Sequence, residues 1–307
     1  MSKKSQQSRK SQKSEKIAKV KKIKAELADP AVPLSEHLRV DEGFVLADLD
    51  AGSTPGFDDG KKAGEKALSK HSSDIGEWQE RLFAESKGGG NRSVLLVVQG
   101  LDTAGKGGIM RHVVGAADPE GVRTTAFKAP TPEEREHDFL WRIRKALPGP
   151  GTIGVFDRSH YEDVLAVRVH DLVPESEWSQ RYGVINDFEH ELVASGTTVV
   201  KVMLHISKDE QKDRLARRLD RADKQYKYNP GDVTERLSWD SYMEAYQVAL
   251  TQCSTADAPW FVVPANHKWY ARYAVQQLLL ETLTGLDPQW PVMDYDVKVE
   301  KARLAES

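Results

Sequence analysis

The residues best suited to chemistry lie in VLLVVQGLDTAGKGG, residues 94–108, where an apolar run enters a glycine-rich turn. The spacing of Gly100 and Gly105 around Asp102, Thr103 and Ala104 lets successive backbone amides point inward at phosphate oxygens, and a following helix would offer its positive end. Gly100, Ala104, Gly105, Lys106, Gly107 and Gly108 therefore read as a phosphate loop, with Lys106 neutralising phosphoryl charge. Such loops usually carry a serine or threonine after the lysine to hold magnesium, and this chain has Gly107. Magnesium, or manganese in its place, then needs other hard oxygen donors. Asp102 is the nearest candidate. Asp157, at the end of TIGVFD, would join it if the two strands are parallel neighbours, and it could equally cap a helix or pair with Arg158.

Asp157, Arg158, His160, Glu162 and Asp163 fall within seven residues, a charge density that is costly in a core and should line a cleft. Arg158 can fork onto a phosphate, while His160 reads either as a satisfied structural histidine or as a phosphate contact. Arg214, Arg217, Arg218, Arg221 and Lys224 recur every three or four residues, forming one helix face that is either a solvated surface or a polyanion track. Arg123, Lys128, His137 and Arg142 lie between the loop and the Asp157 segment and could receive a second, nucleotide substrate. Phe127 either covers a base or packs as an ordinary aromatic.

These groups need a scaffold. Helical patterns over 133–147, 175–195, 208–223, 234–252 and 269–283 alternate with apolar strands over 94–98, 151–159, 197–207 and 260–265, predicting an α/β fold with a mostly parallel sheet covered on both faces. Residues 1–30 read as a basic, mobile tail, either a solubilising tail or a polyanion or partner tether, and residues 31–93 as an irregular arm followed by a helix interrupted near Ser72–Ser73. The main domain spans 94–290 with a lid at about 208–235, and 291–307 form a C-terminal tail. The 307 residues carry a net charge of −3, which argues against a nucleic-acid binder, and one cysteine, Cys253, which excludes a disulfide framework or a cysteine-cluster metal site. No long apolar stretch suggests a membrane segment, so a cytoplasmic setting is expected.

The ordered motifs GLDTAGKGG, FKAPT, FDRSHYEDVL, LHISKDEQKDRL and WDSYMEAY…APWFVVPANHKWYAR, over about residues 57–290, resemble the polyphosphate kinase 2 family. The resemblance implies a P-loop kinase fold similar to that of thymidylate kinases, with a helical lid, and magnesium-dependent, reversible phosphoryl transfer between inorganic polyphosphate and a nucleotide. It implies Asp102 and Asp157 as metal and phosphate-site carboxylates, Lys106 as the loop lysine, Arg158 as a phosphate contact, and Arg214, Arg217, Arg218 and Arg221 as basic lid residues. SHYEDVL is similar to the branch that accepts nucleoside monophosphates and diphosphates, which makes Glu162 a candidate for acceptor discrimination. Adenine nucleotides are the expected acceptors, with guanine nucleotides as further ones, and a homo-oligomer is the expected state. Two alternatives are an ATP-dependent nucleotide or small-metabolite kinase and a non-enzymatic, nucleotide-regulated scaffold.

Overall fold

A computed structural model describes residues 32–307; residues 1–31, which include the predicted basic tail, lie outside the described residues. The arm is not wholly irregular. It forms a short helix α1 (Leu34–Leu38), whose Leu34 and Leu38 are buried in the main core. The Glu281 carboxylate accepts the Leu34 and Ser35 amides at 2.9 and 3.2 Å, tying the arm to the far end of the chain. Helix α2 (Gly60–Lys87) runs through Ser72 and Ser73 without a break. Both hydroxyls donate to carbonyls of the preceding turn, which satisfies them inside the helix instead of ending it.

Strand β1 (Ser93–Gln99) is buried along its whole length and leads through the glycine turn into α3 (Lys106–His112). Strand β2 (Val122–Ala126) falls in a stretch to which the sequence pattern assigns no element. The helix predicted over 133–147 shrinks to a turn at Glu134–Glu136 and α4 (Trp141–Ala146), with the Asp138 side chain accepting the Leu140 amide in a turn between them. Then come β3 (Ile153–Asp157), α5 (Ala166–Val169), α6 (Glu175–Ala194) and β4 (Thr197–His205). The predicted lid is α7 (Lys208–Asp220) followed by α8 (Pro230–Glu235), and the long helix predicted after it begins only at Trp239, as α9 (Trp239–Gln252). Strand β5 (Trp260–Pro264), α10 (Lys268–Leu286) and a helix α11 (Val297–Glu306) in the predicted tail complete the chain. Among the described residues no helix is long and apolar enough to cross a membrane.

All strand pairings are parallel, in the order β2-β3-β1-β4-β5. Val94, Leu96 and Val98 of β1 join one apolar cluster with Ile109 and α10, whereas Leu95 and Val97 join another with Tyr182, Ile185 and Phe188 of α6. Both faces are covered, so the strands read as continuous apolar runs. The connection leaving β1 passes over one face toward β2, and that leaving β3 passes over the other toward β4. A crevice therefore opens between the carboxyl ends of β1 and β3. Val98 pairs with Asp157, which brings the phosphate loop and the Asp157 segment to the same edge.

Candidate active site

The loop after β1 turns through Gly100 at φ 152°, where a Cβ would stand 2.9 Å from the Leu204 carbonyl oxygen, so only glycine fits. Thr103 and Arg158 adopt left-handed φ of 67° and 64°, a conformation that costs free energy and that the surrounding hydrogen bonds must hold. Arg158 Nη2 donates to Asp102 Oδ1 at 3.0 Å and joins the two segments. Lys106 Nζ, half-buried, donates to the Gly100 carbonyl at 2.6 Å. Burial lowers its pKa, with Arg158 acting in the same direction and Asp157 and Asp102 opposing.

Two clefts meet here, and Asp102 lines both. The loop cleft, about 450 Å³, is walled by residues 102–109 and Asp157, and by Arg111, His112, Arg214, Arg218, Lys224, Lys227, Lys268 and Arg272. Burial lowers the pKa of Lys268 and of Arg272; Arg214 and Arg217 add to the effect at Lys268, and Arg111 adds to it at Arg272. Cations held close enough to disfavour one another's charge make a site that an anion would relieve. The second cleft, about 540 Å³, holds Lys128, Arg142, Arg158, Glu162, Asp163, Tyr242 and Tyr246, with Asn229, Asp232, Glu235 and Arg236 from α8 and the residues that flank it. Burial raises Glu162 against the pull of Arg158 and Lys106, and pushes Asp163 up to about 6 against Arg142 and Arg181. A third cavity, about 890 Å³, is larger but has a mainly apolar wall that includes Leu46, Leu49, Met243 and Val248 and no loop residue, so volume does not mark the phosphate chemistry.

Several predicted residues sit elsewhere. His160 is fully enclosed beside α6, its Nε2 3.1 Å from Glu189 Oε1, so no polyphosphate can reach it. Glu189 also pairs with the buried Lys201, whose ammonium donates to Tyr161 Oη and the Cys253 carbonyl; His160 thus belongs to a buried polar cluster under the Asp157 segment. Phe127 and Arg142 do line the second cleft, Phe127 packing edge-on against Phe156 at 4.9 Å and Arg142 donating to the Lys128 carbonyl at 2.8 Å. Arg123 donates to the Lys145 carbonyl from an exposed edge strand, and His137 stacks on Trp141; neither lines either cleft.

The arginine stripe divides. All five donors of Arg214 are spent, on the carbonyls of Thr103, Ala104, Ala265 and Asn266 and on Glu210, so it clamps the loop to the end of β5 and has none left for polyphosphate. Arg218 holds Asp232 and the Lys227 carbonyl, while Arg217 bonds Glu210 and Arg221 bonds Asp223 outside the loop cleft. Arg214→Gln is expected to lose about 2–4 kcal/mol of stability by orphaning buried carbonyls. Arg221→Gln should leave the stability unchanged. Denaturant unfolding of the two variants measures the contrast.

The loop cleft also recruits Arg111, Lys227, Lys268 and Arg272, which the sequence did not flag. For magnesium, the hydroxyl missing at position 107 has a counterpart: Thr103 Oγ1 is buried with no hydrogen-bond partner among the described residues. Together with Asp102 and Asp157, which line the same cleft, it would offer the hard oxygen donors the ion prefers. The arrangement suits transfer of a phosphoryl group between two anionic substrates, one in each cleft.

The sequence profile of the polyphosphate kinase 2 family matches residues 58–291. The chain is 45% identical over 254 residues to an AMP/ADP-polyphosphate phosphotransferase of Meiothermus ruber, an alignment covering 83% of this chain and 94% of that one. It is 42% identical over 229 residues to an ADP-polyphosphate phosphotransferase of Rhodopseudomonas palustris, covering 71% and 78%. The crystal structure of polyphosphate kinase 2 from Arthrobacter aurescens TC1 superposes with a TM-score of 0.88 at 57% identity, covering 90% of this chain and 98% of that one.

Proposed function

The chain belongs to the polyphosphate kinase 2 family, and from that premise we propose that it moves a phosphoryl group between polyphosphate held in the loop cleft and a nucleoside mono- or diphosphate held in the cleft of Lys128, Arg158 and Glu162. The observation that carries this reading is the meeting of the two clefts at Asp102, one of them rimmed by more cations than a single nucleotide requires.

In the forward direction an oxygen of the acceptor phosphate bonds to the terminal phosphorus of the chain. The bridging P–O bond breaks, and the shortened polyphosphate leaves with the electron pair. An acceptor phosphate is already ionised near neutral pH, so no strong general base is needed, and positioning with charge neutralisation carries the catalysis. Lys106 and the loop amides hold the donor end, Arg158 bridges donor and acceptor sides through Asp102, and the lid excludes water. Magnesium, held by Asp102, Asp157 and Thr103, would neutralise phosphate charge. A cytoplasmic setting fits a single cysteine that is fully buried, its thiol pushed up to about 12 mainly by burial.

A matrix of AMP, ADP, GMP and GDP against polyphosphate or ATP, with product analysis, tests the assignment. Turnover should require polyphosphate in the forward direction. ATP acting as the better donor, without competition from long polyphosphate, would overturn it. Within the same assay, changing Arg111, Lys268 and Arg272 together to Gln is expected to raise the KM for long polyphosphate about tenfold more than for a short oligomer, and to flatten its salt dependence. The pair Arg217→Gln and Arg221→Gln should do neither.

A further inference from the structure

Gln99 is the last residue of β1, immediately before the phosphate loop, and it is fully buried. Ser159 presents two donors to one end of its carboxamide, and Glu162 presents a carboxylate to the other. The amide satisfies both when Oε1 accepts from Ser159 Oγ at 3.0 Å and Ser159 N at 3.2 Å while Nε2 donates to Glu162 Oε1 at 3.1 Å. The Ser159 hydroxyl, committed as donor to Gln99, accepts the Tyr161 amide at 3.2 Å. The donor–acceptor sense of the chain is thus fixed from Tyr161 to Glu162.

The two ends of a carboxamide meet both demands. A glutamate would face Glu162 with a second carboxylate, and a leucine would strand the two Ser159 donors and free Glu162 to turn. Gln99 holds Glu162 through Oε1, and Glu162 lines the cleft together with Arg158, Tyr242 and Tyr246. Burial works against its charge, Arg158 and Lys106 support it, and the Gln99 N–H adds to that support.

We propose that Gln99 is a positioning residue for acceptor choice: it sets the orientation of the Glu162 carboxylate in the acceptor cleft and couples that orientation to the strand that carries the phosphate loop. The proposal rests on the reading of that cleft as the acceptor site.

The test is a double-mutant cycle on Gln99→Glu and Glu162→Gln, with KM and kcat for AMP and for ADP, KM for long polyphosphate, and thermal unfolding of each protein. Gln99→Glu keeps the acceptor for Ser159 and replaces the donor facing Glu162. It should change the AMP-to-ADP ratio of kcat/KM by about tenfold through acceptor KM, with less than about a twofold change in KM for polyphosphate. In the double variant the pair is restored with roles exchanged, the new amide at position 162 donating to the new carboxylate at position 99. Its ratio should therefore match that of Glu162→Gln alone within about twofold. An unchanged ratio in Gln99→Glu, or a Gln99→Glu effect that persists in full on the Glu162→Gln background, would overturn the positioning role while leaving the acceptor cleft in place. An unchanged ratio in Glu162→Gln would instead overturn the acceptor reading, and the inference with it. If Gln99→Glu does not fold alone, recovery of the fold in the double variant reports the same contact, and failure to recover it overturns the proposal.

Discussion

Lys106→Ala is expected to lower kcat by about a thousandfold, some 4 kcal/mol of transition-state stabilisation, while the fold persists. The ammonium rests at the junction of β1 and α3, where its protein hydrogen bond goes to the Gly100 carbonyl. Burial and the neighbouring Arg158 disfavour its charge, so the site supplies less stabilisation of the cation than a phosphate would. That balance reverses when negative charge develops beside it, which is why the loss should fall on turnover and not on stability. Arg214 holds the Thr103 and Ala104 carbonyls, so the loop keeps its path without the lysine. Single-turnover rates at saturating substrates, with the thermal midpoint as control, measure the effect. Lys106→Arg should not restore the rate, because a planar fork cannot occupy the place of a compact ammonium. Turnover within about tenfold of the parent would remove Lys106 from the reaction.

What could be read from the sequence was what local pattern determines. Strands β1, β3, β4 and β5 are apolar and buried on both faces, and glycine spacing marks a loop whatever surrounds it. Strand β2 escaped because it is an edge strand of five largely exposed residues, VRTTA, with almost no apolar pattern to announce it. The arginine stripe was visible as a helix face, but periodicity cannot say what the face meets. Arg214 turned out to touch four carbonyls distant in sequence, and Arg221 an acid two residues away. His160 was ambiguous for the same reason, since its partner Glu189 comes from another helix. Arg111, Lys268 and Arg272 lie on α3 and α10, whose ends converge only through packing. Gln99 carried no signal because its meaning depends on Ser159 and Glu162, which β1–β3 pairing brings beside it.

Asp157→Asn and Asp102→Asn are each expected to lower kcat by about two orders of magnitude, and to do so in different ways. Asp157 ends β3 and lines the loop cleft without an ion pair to an arginine among the described residues, so its charge is available to a metal. Losing that charge should raise the magnesium concentration needed for half-maximal rate by about tenfold and leave acceptor KM nearly unchanged. Asp102 has two duties, since it lines both clefts and accepts from Arg158. Its replacement by asparagine keeps an acceptor for the guanidinium but removes the charge that balances it, so acceptor KM should rise along with the magnesium requirement. Titrating initial rates with free magnesium at fixed polyphosphate, and then with acceptor at saturating magnesium, separates the two patterns. Manganese, which binds the same oxygen donors more tightly, should restore part of the rate to Asp157→Asn. If both variants keep the parent's metal dependence, the loop without its hydroxyl draws its metal from elsewhere. Asp102 would then serve to orient Arg158 alone.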